Sequence, residues 1–334
     1  MFMRKPTIKD VAEKAGVSVG LVSMVLNNKK GVNKETAEKV MKVVKAMKYT
    51  PNKTASALRA GYNKTIGVIT PDLANHYFSD ISRHIENIAF DNGYTVLFGS
   101  SDDRPDKIGK LIEIFYANGV KGILLSPCDE CTAEIKRALR LGMSIVMMNR
   151  DPLENNNTGH VLLDNEKAVR MGLVHLLDNG YRHIEMISNN IMLSTLKMRE
   201  NSYLAAIAEL GLQDTAKINF ADERKPDELD SILKGISERG VDAIMVPRGY
   251  LALHVANSIK RIGLHIPDDI ALIGFDGGET YKIVTPTITQ LVQNTRKTAE
   301  ISYNMLYEMM HGGQAGYVLI EPELVIGEST RRKY

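Results

Sequence analysis

Five polar residues fall at or just beyond the ends of short apolar runs. They are Asp72 after TIGVITP, Asn149 after SIVMM, Ser188 closing HIEMIS, Arg248 after DAIMVP and Asp276 after IALIGF. If those runs are parallel strands, such residues gather at the carboxyl ends, where open α/β sheets bind ligands. Carboxylates, amides and hydroxyls can there exchange hydrogen bonds with a small polar solute, and a guanidinium can grip its oxygens. Signatures of catalysis are missing: the sequence has no G-x-x-x-x-G-K-[ST], no G-x-G-x-x-G and no H-E-x-x-H. Cys128-Asp-Glu-Cys131 is a lone CxxC without the further ligands a tetrahedral zinc needs, so a reduced pair in a surface loop is expected. His76, His84 and His254 are scattered, with His76 a minor pocket candidate. The 16 methionines suit core gap-filling. No cofactor, metal or enzymatic activity is expected.

The elements that would position these residues must come from 334 residues, 44% hydrophobic and 25% charged. That length suggests two or three domains, and the balance is that of a globular chain. No stretch approaches eighteen uninterrupted apolar residues, and no apolar segment precedes the charges of MFMRKPTIKDVAEK. A cytoplasmic protein without a membrane partner is the default expectation. The formal net charge of +2 is unevenly spread. Residues 1–64 hold 14 Lys/Arg against 4 Asp/Glu, and the other 270 hold 28 against 36. A basic head on an acidic body points to a polyanion as the head's partner.

Three short helical patterns fill the head. Ile8, Val11, Ala12 and Ala15 make one apolar stripe, Gly16 can end that helix, and Ser18 can cap the next. In the second, Leu21, Val22, Val25 and Leu26 are expected inward, leaving Val19, Gly20, Ser23, Met24 and Asn27 outward. The third begins near Asn33 and turns Val40, Val43, Val44 and Met47 inward, with lysines at 39, 42, 45 and 48. Two helices joined by a few residues around a glycine form the helix-turn-helix, whose second helix enters the major groove.

TIKDVAEKAGVSVGLVSMVLN at 7–27, VNKETAEKV at 32–40 and YTPN at 49–52 resemble the headpiece of the lactose-repressor (LacI/GalR) family, and the resemblance runs along almost the whole chain. It implies base-reading positions at Val19, Gly20 and Met24. Thr7, Ser18, Ser23, Asn27, Thr36 and Tyr49 match positions of backbone or phosphate contact. NKTASALRA resembles a hinge helix that orders on operator DNA, which adds Asn52, Ala55 and Leu58, the last matching a leucine wedged into the minor groove. The family commonly writes VSRVLN, and this chain has Met24 in place of the arginine. Val19, Gly20 and Met24 cannot donate hydrogen bonds to base edges, so thymine methyls and DNA deformability are expected to carry specificity.

From residue 65 onward short apolar runs alternate with helical stretches, the pattern of parallel sheets covered on both faces. Seven such runs fit two doubly wound lobes better than one sheet. The resemblance implies a periplasmic-binding-protein-like core of two lobes clamping a small solute. Tyr77 and Phe78 match the aromatic position against the ligand, Arg199 the arginine gripping ligand oxygens, and Asp276 and Gln293 further ligand-facing positions; Asp72, Asn149 and Arg248 complete the candidate set. Where the family usually has an aspartate this chain has Asn149, and where it has an Asn-Asp pair this chain has Arg248 and Gly249. A lost carboxylate and a gained guanidinium suggest an anionic effector, a uronic acid or sugar phosphate, held by Arg199 and Arg248. The alternative is that Arg248 pairs with Asp276 and holds the cleft partly closed.

The expected organisation is a helix-turn-helix headpiece at 1–50, a hinge at 51–61 and a core at 62–334. Within the core the N-lobe would take about 62–163 and 292–320, and the C-lobe about 164–291 and 321–334. A homodimer on a palindromic operator is expected, with self-contacts near 79–92 and 250–262 by analogy with the family, and no heptad-bearing tail to make tetramers. The function so read is a DNA-binding transcriptional regulator, a repressor as is most common in the family it resembles, controlled by a sugar-like or acidic sugar-like effector. The alternative is a cytosolic sugar-binding or sugar-processing protein without gene control.

Overall fold

The computed structural model describes residues 6–26, 31–49, 64–152, 157–191, 193–212 and 216–332. Asn27, Asn52, Ala55, Leu58 and the expected hinge lie outside the described residues. The chain divides into two compact units, Met1–Asn63 and Lys64–Tyr334.

The first unit contains α1 (Ile8–Ala15), α2 (Val19–Leu26) and α3 (Lys34–Ala46). Local chemistry sets their limits. Thr7 and Asp10 form a reciprocal capping box, with Thr7 N–H donating to Asp10 Oδ2 at 2.6 Å. Gly16, at φ 66°, ends α1 in the left-handed conformation. Ser18 Oγ accepts from Leu21 N–H at 3.2 Å, and Asn33 caps α3 through Glu35 N–H at 3.0 Å. Val11, Ala12, Ala15, Val22, Val25, Val40 and Val44 form the buried core.

The second unit holds two six-stranded sheets. The first, in the N-lobe, has β1 (Thr65–Thr70), β2 (Thr95–Ser100), β3 (Gly122–Leu125), β4 (Ser144–Met148), β5 (Gly159–Leu163) and β11 (Tyr317–Ile320), in spatial order β11-β5-β4-β3-β1-β2. The C-lobe sheet has β6 (Ile184–Ser188), β7 (Ile218–Phe220), β8 (Ala243–Met245), β9 (Ala271–Phe275), β10 (Thr289–Gln293) and β12 (Pro322–Val325), in order β12-β10-β9-β8-β6-β7. All pairings are parallel except β10 with β12, so the second sheet carries one antiparallel edge. Of these strands, β5, β7, β10 and β11 were not evident as apolar runs in the sequence; β10 begins and ends with polar residues, TQLVQ.

Helices cover both faces, α4 (His76–Asp91), α5 (Pro105–Ala117), α6 (Thr132–Arg140) and α12 (Thr295–Met310) on the N-lobe sheet. The C-lobe helices are α7 (Asn165–Asp178), α8 (Ser194–Glu209), α9 (Pro226–Glu238) and α10 (Gly249–Arg261), with the short α11 (Thr280–Ile283) after β9. Alternate strand residues supply two apolar layers per sheet: Val68 and Leu124 pack towards α4 and α12, Ile69 and Ile123 towards α5 and α6. At Gly67 a Cβ would come within 2.4 Å of the Phe115 ring, so glycine lets α5 lie directly on β1. In both lobes the strand order reverses beside the first strand, between β1 and β3 and between β6 and β8. That reversal is where an open α/β sheet leaves a crevice at its carboxyl edge. Among the described residues no helix is long and apolar enough to cross a membrane.

Candidate functional site

In the headpiece, Gly20 is exposed, and Ser23, Met24 and Thr36 are half-buried. Met24 is not among the side chains packed against the headpiece core. Val19 departs from expectation: it packs against that core, whereas Leu21 does not join it. Val19 precedes Val22 by three residues, which places both on one helical stripe. Tyr49 also packs against the core. The Thr7 and Ser18 hydroxyls cap helices, so their first task is to fix where α1 and α2 begin. Lys39, Lys42, Lys45 and Lys48 are exposed. The letters G-x-S-x-G do occur at 16–20, but Ser18 lies between two helices rather than on a strand-to-helix turn, so it is no nucleophile elbow.

The cleft is built around Arg199 on α8. Its Nε donates to Asn165 Oδ1 at 2.8 Å and its Nη1 to the Pro247 carbonyl at 2.6 Å; Nη2 lies 3.6 Å from Asp276 Oδ2. The guanidinium sits 4.1 Å from the centroid of the Phe275 ring. Asp276 Oδ1 accepts from Gln293 N–H at 3.2 Å, and Gln293 Nε2 donates to Asn149 Oδ1 at 3.1 Å, joining the C-lobe to the end of β4. Asn149 and Asp276 both have left-handed backbones, φ 68° and 46°, a conformation that asparagine and aspartate tolerate better than other residues with a Cβ. Asparagine can therefore replace the family's aspartate at 149 without backbone cost.

Tyr77 is buried, and its phenol is raised by burial and then by the charge of Asp276, with Arg199 opposing. Burial likewise raises the Asp276 carboxyl, against the pull of Arg199, and lowers the Arg199 guanidinium. The pair is thus desolvated more than it is mutually compensated. Phe78 and Tyr77 are both buried in the N-lobe apolar layer and meet edge-on at 5.1 Å, and Tyr77 is the one near enough to Asp276 and Arg199 to feel their charges. His76 is exposed yet lies against Gly278, whose Cβ would come within 2.5 Å of the imidazole.

Three expectations are corrected. Asp72 is exposed and accepts a hydrogen bond from Ala74 N–H at 2.8 Å, shaping its own turn rather than joining Arg199 and Asp276. Arg248 does not pair with Asp276. Its Nη1 binds Glu223 Oε1 at 2.9 Å and Asn189 Oδ1 at 3.2 Å, and Asp276 takes Arg199. Both cleft guanidiniums therefore have carboxylate partners, which removes the excess positive charge that favoured an anionic effector. Ser188 Oγ donates to Glu200 Oε1 at 2.7 Å, within the C-lobe. The two cysteines are buried in the N-lobe core rather than in a surface loop. Asn165, Asn189 and Glu223 escaped the sequence reading, because their partners are tens of residues away. Among the described residues no group of three or more His, Cys, Asp or Glu side chains is placed to hold a metal ion.

Residues 7–52 match the model of bacterial regulatory proteins of the lacI family, and residues 173–330 match a periplasmic binding protein-like domain. The HTH-type transcriptional repressor PurR of Mannheimia succiniciproducens is 28% identical over 333 residues, spanning 98% of this chain and 99% of that protein. The ribose operon repressor of Halalkalibacterium halodurans is 28% identical over 332 residues, covering 97% of each. The lac repressor dimer bound to operator and the anti-inducer ONPF superposes with a TM-score of 0.86 at 22% identity, over 98% of this chain and 100% of that one, a likeness of fold. Residues 7–52 thus form a lacI-type helix-turn-helix headpiece and residues 173–330 belong to a periplasmic-binding-protein-like domain, the two-part arrangement of the LacI/GalR regulators that the chain resembles.

Proposed function

We propose that this protein is a repressor that binds a palindromic operator as a homodimer, and that a neutral, sugar-like effector held between its lobes sets operator affinity. The observation that carries the effector half is the Arg199–Asp276 pair, positioned by Asn165, the Pro247 carbonyl and Gln293 and faced by Tyr77. Hydroxyls of a sugar donate to the carboxylate and accept from the guanidinium, and the tyrosine ring covers the apolar side of a pyranose or furanose. An acidic sugar would need a cation without a partner, and Arg199 and Arg248 are each matched by a carboxylate.

Exposed apolar side chains support self-association of the core. Phe90 on α4 is 72% exposed, Tyr250 on α10 is 56% exposed and Ile283 on α11 is 79% exposed. In the headpiece, exposed lysines of α3 and Ser23 of α2 would meet phosphates, while Gly20 and Met24 of α2 would face bases. The cytoplasm is the compartment this reading requires.

Selection of random duplex by the purified protein tests the operator half. The expected product is a palindrome, and enrichment of no palindrome overturns the reading. Met24→Arg should add a guanine preference in each half-site, since arginine makes bidentate bonds to guanine. Thermal-shift titration with neutral and acidic forms of the same sugar tests the effector half: the neutral form should stabilise more, and preference for the acid overturns the assignment.

A further inference from the structure

The segment Cys128-Asp-Glu-Cys131 is the one sequence motif that neither operator nor effector binding absorbs. It connects β3 to α6, and both thiols are buried in the N-lobe apolar layer with Ile135, Met143 and Met147. Cys131 Sγ donates to the Cys128 carbonyl at 2.9 Å. Burial raises both thiols above their ordinary values, which suits small core side chains and not thiolate nucleophiles. With residues 128 and 131 turned inward, the intervening pair is left outside the core. Arg150 Nη1 steadies the same loop by donating to the Pro127 carbonyl at 3.2 Å.

Asp129 uses that placement to reach the other lobe. Its Oδ2 accepts from the backbone N–H of Ser194, the first residue of α8, at 2.7 Å. The N-cap residue of α8, Leu193, has no side chain that can cap this helix end. A carboxylate is the favoured group at a helix N-terminus, where amides lack intrahelical partners and the helix dipole is positive. Asp129 Oδ1 and Ser194 Oγ are buried beside this bond without hydrogen-bond partners among the described residues. Arg199 lies five residues further along α8. The helix is thus tied to the C-lobe floor by Arg199 and to the N-lobe by Ser194.

We propose that Asp129 is a positioning residue of the effector clamp: it latches the N-lobe to the start of α8, so that lobe closure and the placement of Arg199 are one event. The inference rests on the cleft being the effector site, but its test uses neither sugar nor operator. Failure of the latch would therefore leave the operator and effector readings standing. CxxC acquires a plain role here, two buried anchors that project the aspartate between them.

Spin labels on Lys110→Cys and Lys225→Cys, one exposed position on each lobe, would report the interlobe distance in the full chain. With the labelled chain diluted in unlabelled protein, so that a dimer carries one labelled protomer, a single narrow distance is expected with Asp129 present. Asp129→Ala should add a longer one, with the open-to-closed ratio rising on the order of ten- to a hundred-fold, the worth of one hydrogen bond to a charged group. Ser194→Pro removes the donor, and proline is tolerated at the first helical position after the extended Leu193. It should give the same second distance, and the double variant should add nothing further. Unchanged distances in both single variants overturn the proposal. So does broadening in Asp129→Ala alone, because that would place its effect inside the N-lobe loop.

Discussion

On the C-lobe side of the cleft, the Arg199 guanidinium has an amide, a carbonyl and a carboxylate partner, and Asp276 is held in turn by Gln293. On the N-lobe side, Tyr77 Oη is buried without a hydrogen-bond partner among the described residues. So are the hydroxyls of Thr70, Ser101 and Ser126 at the ends of β1, β2 and β3. A buried hydroxyl without a partner costs roughly 1–3 kcal/mol, whereas a satisfied pair costs little beyond its desolvation. One floor therefore has a fixed orientation before any ligand arrives, and the other gains most from a ligand that brings hydrogen bonds. On the proposed reading, grip would come from the C-lobe and the incentive to close on an effector from the N-lobe.

The largest effect should follow from breaking the satisfied side. Arg199→Ala leaves Asp276 buried without its cation, which should lower the unfolding free energy by about 3–5 kcal/mol in urea titration. Arg199→Lys should recover little, because a lysine cannot reach Asn165, the Pro247 carbonyl and Asp276 together. A loss below about 1 kcal/mol in Arg199→Ala would erase the contrast between the two floors.

Tyr77→Phe probes the unsatisfied side. Removing a hydroxyl that has no partner should raise stability by up to about 1–3 kcal/mol, while affinity for a sugar found by thermal shift falls about ten-fold. A stability loss comparable to that of Arg199→Ala would show that both floors are structural. Arg248→Ala, at a half-exposed ion pair with Glu223, should cost less than about 1 kcal/mol.

The smallest effect separates the lobes by pH. His175 on α7 bonds Thr330 at 2.8 Å, and burial lowers its value below the ordinary 6.5, with Asp178 opposing. The unfolded chain then binds the proton more readily than the folded one. The stability it contributes is whole above pH 6.5 and is lost as pH falls through 6.5 towards the lower folded value. His175→Gln should flatten that part of the stability profile, and an unchanged acid slope would assign it to another group.

Much of the site was legible because some residues act locally. Thr7, Gly16, Ser18 and Asn33 set helix ends by bonds within a few residues, and those are visible as spacing. Arg199, Asp276 and Gln293 came from a family pattern, and the structure brings them together. Misreadings arose where a residue's role depends on a distant partner. Arg248 takes Glu223, which nothing in ADERKP marks, and Asp129 takes an amide 65 residues later. Val19 was misplaced for a different reason: α2 is apolar nearly all round, so its stripe is poorly defined by sequence. Phe78 and Tyr77 are adjacent and share one apolar layer, so spacing does not reveal that Tyr77 is the one near Arg199 and Asp276.

The order of the edge strands bears on how the protein is made. β5 in one sheet and β10 in the other remain bare on one side until β11 and β12 are synthesised. An emerging chain thus carries an unfinished N-lobe edge throughout translation of the whole C-lobe. Such an edge invites pairing with other nascent chains, which makes this interval the time of greatest exposure to aggregation and to chaperones.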